Sequence, residues 1–172
     1  VDIGPGLFTG LRVGVTTAKV MAQALRIPVI GVPSLDLLAF PARHADRLVV
    51  PIIDARRGQV YSAFYQPVQG GVQRVGDYIV ASADDVAGEL MARGEEALLV
   101  GDGARRFAAC FEGVKRVELC SASLAYPDPL ALLELAAARY AREEFQTPWD
   151  VQPLYLRKSD AELTWERERD GH

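Results

Sequence analysis

A glycine turn that leads directly into a long helix-forming segment is the feature that most constrains the fold of this chain. A short apolar piece runs into Gly4-Pro5-Gly6, and residues 9–25 then have the composition of a helix. A strand, a glycine turn and a helix in succession direct backbone N–H groups at one point, which suits an anion. Such glycines more often supply the unusual φ angles of a tight corner. The candidate anion-proximal residues at this turn are Gly4, Gly6, Thr9 and Gly10.

The predicted helix has one narrow polar stripe on a surface that is otherwise apolar or small. With a helical period of about 3.6 residues, the stripe contains the four residues that we take as candidate partner-binding residues, which are Arg12, Thr16, Lys19 and Gln23. An interior glycine costs a helix roughly 1 kcal/mol relative to alanine. Gly14 therefore predicts a compensating contact, most simply the close approach of another backbone.

The apolar arc of this helix is broader than its neighbours can cover. In the first part of the chain, only residues 1–4 and 28–32 have the composition of strands, and a two-stranded ribbon is marginal in water. An apolar helix face that is exposed to solvent promotes association with other apolar surfaces. We therefore expect it to be covered either by a preceding segment of the same protein or by a second copy in a homodimer.

Strands alternate with helices along the rest of the chain, which predicts an α/β fold. The strand-like runs are residues 28–32, 48–54, 59–66, 72–80, 97–100 and 114–119, with a hairpin tip at 55–58 and a loop at 67–71. Helices are expected after an N-cap at Ser34, after a capping box at 82–85, and from Asp128-Pro129 to about residue 143. A composition break near 42–46 separates a first lobe (1–46) from a second (47–145), and residues 146–172 form an extended segment and a charged tail.

Composition excludes several classes of function. The net charge of −4 argues against a chain that coats nucleic acid by itself. No apolar run approaches the roughly 20 residues that span a bilayer, so no membrane partner is expected. Cys110 and Cys120 lie outside any metal-ligand spacing and predict reduced thiols in a cytoplasmic protein.

Residues that could carry chemistry are scarce, so we expect no catalytic residue and no metal site. The two histidines, His44 and His172, form no ligand pair of the kind found in zinc hydrolases. Asp54 at the end of a strand could hold a metal, but a carboxylate at a hairpin more often caps the turn. The adjacent Arg56 and Arg57 are either phosphate- or carboxylate-binding residues or an exposed hairpin tip.

Four blocks of sequence, in order, resemble the TsaB family. They are GPGLFTGLRVG at residues 4–14, PVIGVPSL at 28–35, DARRGQVY at 54–61 and PLYLR at 153–157. Together the blocks are specific, although Leu7 stands where the family typically has serine. The resemblance implies an actin-like, ribonuclease-H-like ATPase fold (ASKHA) of two lobes, the first incomplete at its N-terminus because its strand meander is missing.

The resemblance also implies a function. TsaB-like proteins are non-catalytic dimerization subunits that pair with the paralogous TsaD, which transfers a threonylcarbamoyl group to an adenosine of tRNA next to the anticodon. The pair binds a TsaE-like ATPase, and tRNA is engaged only through the complex. The chain would then have no intrinsic cofactor, with ATP and magnesium bound only in the assembled complex.

Two other functions remain open on the sequence. An ATP-binding, actin-like kinase would need a second glycine turn, and Gly101-Asp102-Gly103 is the one segment that suggests it. A glycoprotease-like metallopeptidase is the weaker alternative, because the chain lacks the ligand set that such an enzyme needs.

Overall fold

A five-stranded mixed sheet organises the middle of the chain in the computed structural model, which describes residues 1–157. His172 and the charged tail expected at the end of residues 146–172 lie outside the described residues. The strands are β1 (Leu48–Arg56), β2 (Gln59–Val68), β3 (Gly71–Ser82), β4 (Ala97–Val100) and β5 (Val117–Leu119). Their order is β3-β2-β1-β4-β5; β1, β2 and β3 are antiparallel neighbours, and β4 and β5 run parallel to β1.

The strand predictions for the sheet are confirmed, with small shifts at the ends. β1 is central because it is an almost continuous apolar run, buried on both faces. The loop expected at 67–71 is shorter, because Pro67 and Val68 pair with Val72 and Gly71 and extend the β2–β3 hairpin. The strand expected at 114–119 begins only at Val117, where pairing with β4 starts.

Within residues 1–157, six α-helices accompany the sheet: α1 (Phe8–Leu25), α2 (Ser34–Ala39), α3 (Ala83–Arg93), α4 (Asp102–Arg106), α5 (Ala108–Phe111) and α6 (Pro129–Ala141). The capping box of α3 is confirmed, since Ser82 and Asp85 bond reciprocally. The Asp128 cap of α6 is confirmed as well, with its carboxylate accepting from the Leu130 N–H at 2.9 Å. None of the helices within residues 1–157 is both long and apolar enough to cross a membrane.

The two faces of the sheet carry different cores. One face packs against α3, α4 and α5 around Val50, Ile52 and Leu99. The other packs against α2, with Leu35 and Leu38 meeting Val49 and Tyr65. The helix α2 therefore contacts the sheet directly, although the composition break places it in the first lobe; the lobe boundaries themselves stay a prediction.

The prediction of a strand at 28–32 is wrong for the described residues. Isolated bridges alone are present there, Asp2 to Val32 in parallel and Val29 to Gln146 in antiparallel orientation. Each flanking segment supplies too few backbone partners to build a ladder. Ser34 is not the N-cap either: it is the first residue of α2, after Pro33, and its hydroxyl donates to Asp2 at 2.6 Å.

The segment from Gln146 to Arg157 lies against the beginning of the chain. The Leu154 N–H donates to the Ile3 carbonyl at 2.7 Å. The buried Val151 packs with Val15 and Ala22, on the inner side of α1. This segment is thus the main cover that the described chain provides for α1.

Candidate functional site

The glycine turn before α1 is a packed corner. A side chain on Gly4, whose φ is +95°, would stand 2.8 Å from a methyl group of Leu11 and 3.3 Å from the Leu154 carbonyl. The Gly4 N–H donates to Asp2 at 2.8 Å, and its carbonyl accepts from the Ser34 N–H at 2.7 Å. Packing and internal hydrogen bonds thus explain why a glycine stands at position 4. The other anion-proximal candidates lie outside this packing: no atom is within 4 Å of a side chain built on Gly6 or Gly10, and Thr9 is exposed.

Beyond the turn, α1 presents an apolar surface to solvent. The inner side of the helix is buried at Val15 and Ala22, whereas the opposite side is exposed along its length. We call this side the open face of α1; its residues are Gly10, Val13, Gly14, Thr17, Val20, Met21, Ala24 and Leu25. Val13 is 62% exposed and Val20 59% exposed. The prediction of an apolar arc broader than its cover is therefore confirmed within residues 1–157.

Small residues run down the open face. Gly10, Thr17 and Ala24 recur every seventh position, about two helical turns apart. Neither Gly10 nor Gly14 has an atom within 4 Å of the place where a side chain would stand. No contact in the described chain compensates for the helix propensity that Gly14 loses. The surface therefore leaves room for the close approach of another backbone.

The polar stripe of α1 lies beside the open face, partly against the C-terminal segment. Lys19 donates to the Val151 carbonyl at 2.9 Å. Arg12 donates to the Tyr155 hydroxyl at 3.2 Å, and its guanidinium lies 4.5 Å from the centre of the Phe8 ring. Thr16 and Gln23 are exposed at the border of the open face. Arg12 and Lys19 thus bind the C-terminal segment of this same chain. The partner role of all four candidate residues stays a prediction.

Asp54 organises the tip of the β1–β2 hairpin. Its side chain is only 5% exposed and accepts from the backbone N–H of Arg56 at 2.8 Å, so it does cap the turn. The second carboxylate oxygen contacts the guanidinium of Arg56 at 3.2 Å and that of Arg106, from α4, at 3.4 Å. Arg56, Arg57 and Gly58 all have positive φ, of 65°, 55° and 75°. A single buried carboxylate therefore positions two arginines and the strained backbone beside them.

The glycines at 101 and 103 are explained by close packing. A side chain on Gly101, whose φ is +100°, would clash with the Ile52 carbonyl oxygen. One on Gly103 would stand 2.9 Å from Ile53. Asp102 accepts from the Asp54 N–H at 3.3 Å, which ties the start of α4 to β1. Residues 101–103 were the one segment of the sequence that supported the kinase alternative. Their close contacts with β1 instead pack the start of α4 against the sheet.

A polar cluster that the sequence did not predict lies in a cleft of about 1070 Å³ between α6 and the β2–β3 hairpin. Asp36 accepts from the hydroxyls of Tyr65 at 2.6 Å and Tyr78 at 3.0 Å, and lies 3.6 Å from Arg139. Burial, reinforced by the Asp36 carboxylate, raises the pKa of both tyrosines well above the ordinary value. No local pattern signals this cluster, because its members come from four separate elements. The contacts of this cluster connect α2 and α6 to the β2–β3 hairpin.

Metal-ligating side chains are dispersed in the part of the chain that the structure describes. Within residues 1–157, no three His, Cys, Asp or Glu side chains are grouped so that they could hold an ion. Both cysteines are unpaired and half-buried, and burial raises the pKa of each thiol.

Similarity to known proteins shows the class of fold to which the chain belongs. The family model for TsaD, tRNA N6-adenosine threonylcarbamoyltransferase, matches residues 1–165. A crystal structure of an uncharacterized Pseudomonas aeruginosa protein with similarity to peptidase YEAZ superposes with a TM-score of 0.77 and 31% identity, covering 91% of this chain and 71% of that one. The sheet order and these matches define the actin-like, ribonuclease-H-like class that the sequence predicts.

The particular family follows from the curated relatives. The tRNA threonylcarbamoyladenosine biosynthesis protein TsaB of Bacillus subtilis is 36% identical over 165 residues, covering 94% of this chain and 70% of the relative. The protein of the same name from Haemophilus influenzae is 32% identical over 172 residues, with coverage of 95% and 70%. The chain belongs to the TsaB family.

Proposed function

We propose that the chain is a non-catalytic subunit that pairs, through the open face of α1, with a TsaD-like threonylcarbamoyltransferase. The TsaB relatives are named for tRNA threonylcarbamoyladenosine biosynthesis, and the chain has its role in that same modification. In the proposed assembly the paralogue transfers the threonylcarbamoyl group to the adenosine next to the anticodon. The chain contributes the surface on which the paralogue is held.

The open face of α1 is the observation that carries the proposal. A contiguous apolar surface of this kind marks an interaction site rather than ordinary surface. Its small residues allow a second helix to approach closely, and the exposed side chains of Val13, Val20 and Met21 flank them. A paralogue with the same fold has an equivalent helix, so two such faces can pack against each other across a pseudo-symmetric interface.

The non-catalytic role is supported by the structural partners of Asp54 and Asp102, the two carboxylates near the tip of the β1–β2 hairpin. The Asp54 carboxylate is engaged by the backbone of Arg56 and by two guanidiniums. Asp102 accepts a backbone hydrogen bond from β1. Both carboxylates thus have structural partners. We propose accordingly that ATP and magnesium act only in the assembled complex, where a TsaE-like ATPase joins the pair.

Co-purification and a transfer assay test the proposal together. The chain should co-purify with a TsaD-like paralogue from the same source, and alone it should not transfer a threonylcarbamoyl group from threonylcarbamoyl-adenylate to tRNA. Turnover should appear only when the paralogue and the ATPase are added. Transfer by the chain in material free of the paralogue, or failure to bind the paralogue at all, would contradict the proposal.

A further inference from the structure

A second apolar surface lies on α6, away from the open face of α1. One side of this helix carries a row of exposed residues that we call the α6 seam, namely Leu130, Leu133, Ala137 and Tyr140. Its three large side chains are 64%, 66% and 62% exposed. The ring of Phe145, which is also exposed, extends the row, since its centre lies 5.9 Å from that of Tyr140. The rest of residues 1–157 leaves this apolar row open to solvent.

The chain's own core uses the other side of α6. Ala131 is buried there, and Leu132 and Leu135 pack with Val32 and Phe40. A helix at the surface of a globular protein needs one apolar side to dock on the core, and its opposite side is normally polar. In α6 the outward side is apolar as well. A second, exposed apolar row of this kind marks an interaction surface.

The α6 seam is separate from the open face of α1. Neighbouring side chains of an extended chain point to opposite sides, and Val29 accordingly packs with the inner side of α1 while Ile30 and Val32 pack with α6. The two helices thus lie on different sides of residues 28–32. A partner bound to α1 leaves the α6 seam exposed, so the pairing proposed above does not explain it.

The spacing of the α6 seam fits a second helix. Its residues are separated by three, four and three positions, which is the repeat of a seam between two packed helices. The large Leu133 and the small Ala137 flank its midpoint. When a copy of α6 lies antiparallel across the seam, Leu133 faces Ala137 of the second copy in two symmetric layers. Large side chains opposite small ones fill such layers, whereas parallel packing would set alanine against alanine and leave a void.

The available area and charge suit a second copy of the chain. The exposed parts of the seam and Phe145 amount to roughly 500 Å² per protomer, so two copies would bury about 1,000 Å², the lower limit for a specific interface. Glu134 borders the seam and is paired with Arg43 at 3.1 Å, so its charge is balanced. We propose that two copies of the chain form a two-fold symmetric dimer through antiparallel α6 helices. This proposal does not rest on the proposed function.

Exchanging the large and the small residue tests the dimer. All variants carry Val20→Glu, which suppresses self-association through the open face of α1. Leu133→Ala sets alanine against alanine in both symmetric layers and should raise the dissociation constant of the dimer by roughly 30-fold or more. Adding Ala137→Leu places large against small again and should restore most of the lost affinity. Both residues are good helix formers at exposed positions, so the fold is kept. Sedimentation equilibrium measures the constants, and circular dichroism checks the fold.

A charge at the seam provides the second test. Leu133→Glu should leave the chain monomeric, because the dimer would bury two carboxylates in an apolar interface. Met91→Glu places the same charge on a similarly exposed apolar position of α3 and is the matched control, which should dimerise like its parent. Binding of the paralogue by the chain with Leu133→Glu alone reports separately on the proposed function and should match the wild type.

Three results would overturn the proposal. The first is a Val20→Glu chain that stays monomeric up to about 1 mM, the range of very weak association. The second is dimerisation that Leu133→Glu leaves unchanged, which would place the contact between copies elsewhere. The third is an exchanged pair at 133 and 137 that binds no better than Leu133→Ala, since antiparallel packing requires the recovery.

Discussion

Val20→Glu should strongly weaken pairing with a TsaD-like paralogue while leaving the fold intact. Val20 is 59% exposed on the open face of α1, and glutamate is a good helix former, so the free chain loses little stability. In the complex the carboxylate would be buried against an apolar surface without a partner, which costs several kcal/mol. We expect the dissociation constant to rise by roughly 30-fold or more, the scale of a central interface residue.

Met91→Glu is the matched control for that experiment. Met91 is 57% exposed on α3, so the change places the same charge on an equally exposed apolar position away from α1. Its affinity for the paralogue should equal that of the wild type by titration calorimetry. Equal affinities for all three proteins would mean that pairing uses another surface.

Gly101→Ala should be among the most destabilising single changes in the chain. The residue has φ +100° and ψ 165°, a conformation almost confined to glycine. Its new methyl group would also press on the Ile52 carbonyl oxygen in the central strand. Backbone strain and overpacking together should lower the free energy of unfolding by about 3 kcal/mol or more. Urea denaturation measures this loss.

Gly88→Ala provides the comparison for this effect. Gly88 lies in α3 with no atom within 4 Å of the added methyl group, so the change should be neutral or stabilise the chain by up to about 1 kcal/mol. Similar midpoints for the two variants would show that the start of α4 is not held against β1 as described. A nucleotide-binding role for residues 101–103 would then regain its support.

Features governed by local chemistry were predictable from the sequence. The apolar run of β1, the alternation in β2 and the turn between them specify the hairpin. The capping box at Ser82 and Asp85 marks the start of α3 because both hydrogen bonds lie within one turn. The wide apolar arc of α1 likewise follows from residue spacing alone, and so does the prediction that its neighbours within the described chain leave part of it uncovered.

Features that depend on distant partners were not predictable. Ser34 carries a normal N-cap signal, yet its hydroxyl bonds Asp2, which the chain brings alongside through the Gly4 corner. Asp36 gains its tyrosine and arginine partners only when α2, α6 and the hairpin pack together. In the same way, Arg106 of α4 reaches the Asp54 carboxylate only once α4 has packed against the sheet. Residue types and spacing along one segment do not predict such long-range contacts.

Methionine oxidation tests most directly whether the open face of α1 is the pairing surface. The chain has two methionines, Met21 on the open face and Met91 on α3, and each is 57% exposed. In the free chain, hydrogen peroxide should convert both to the sulfoxide at similar rates, followed by peptide mass spectrometry. With saturating paralogue, Met21 should be strongly protected and Met91 should react as before. Unchanged oxidation of Met21 in the saturated complex would contradict the account.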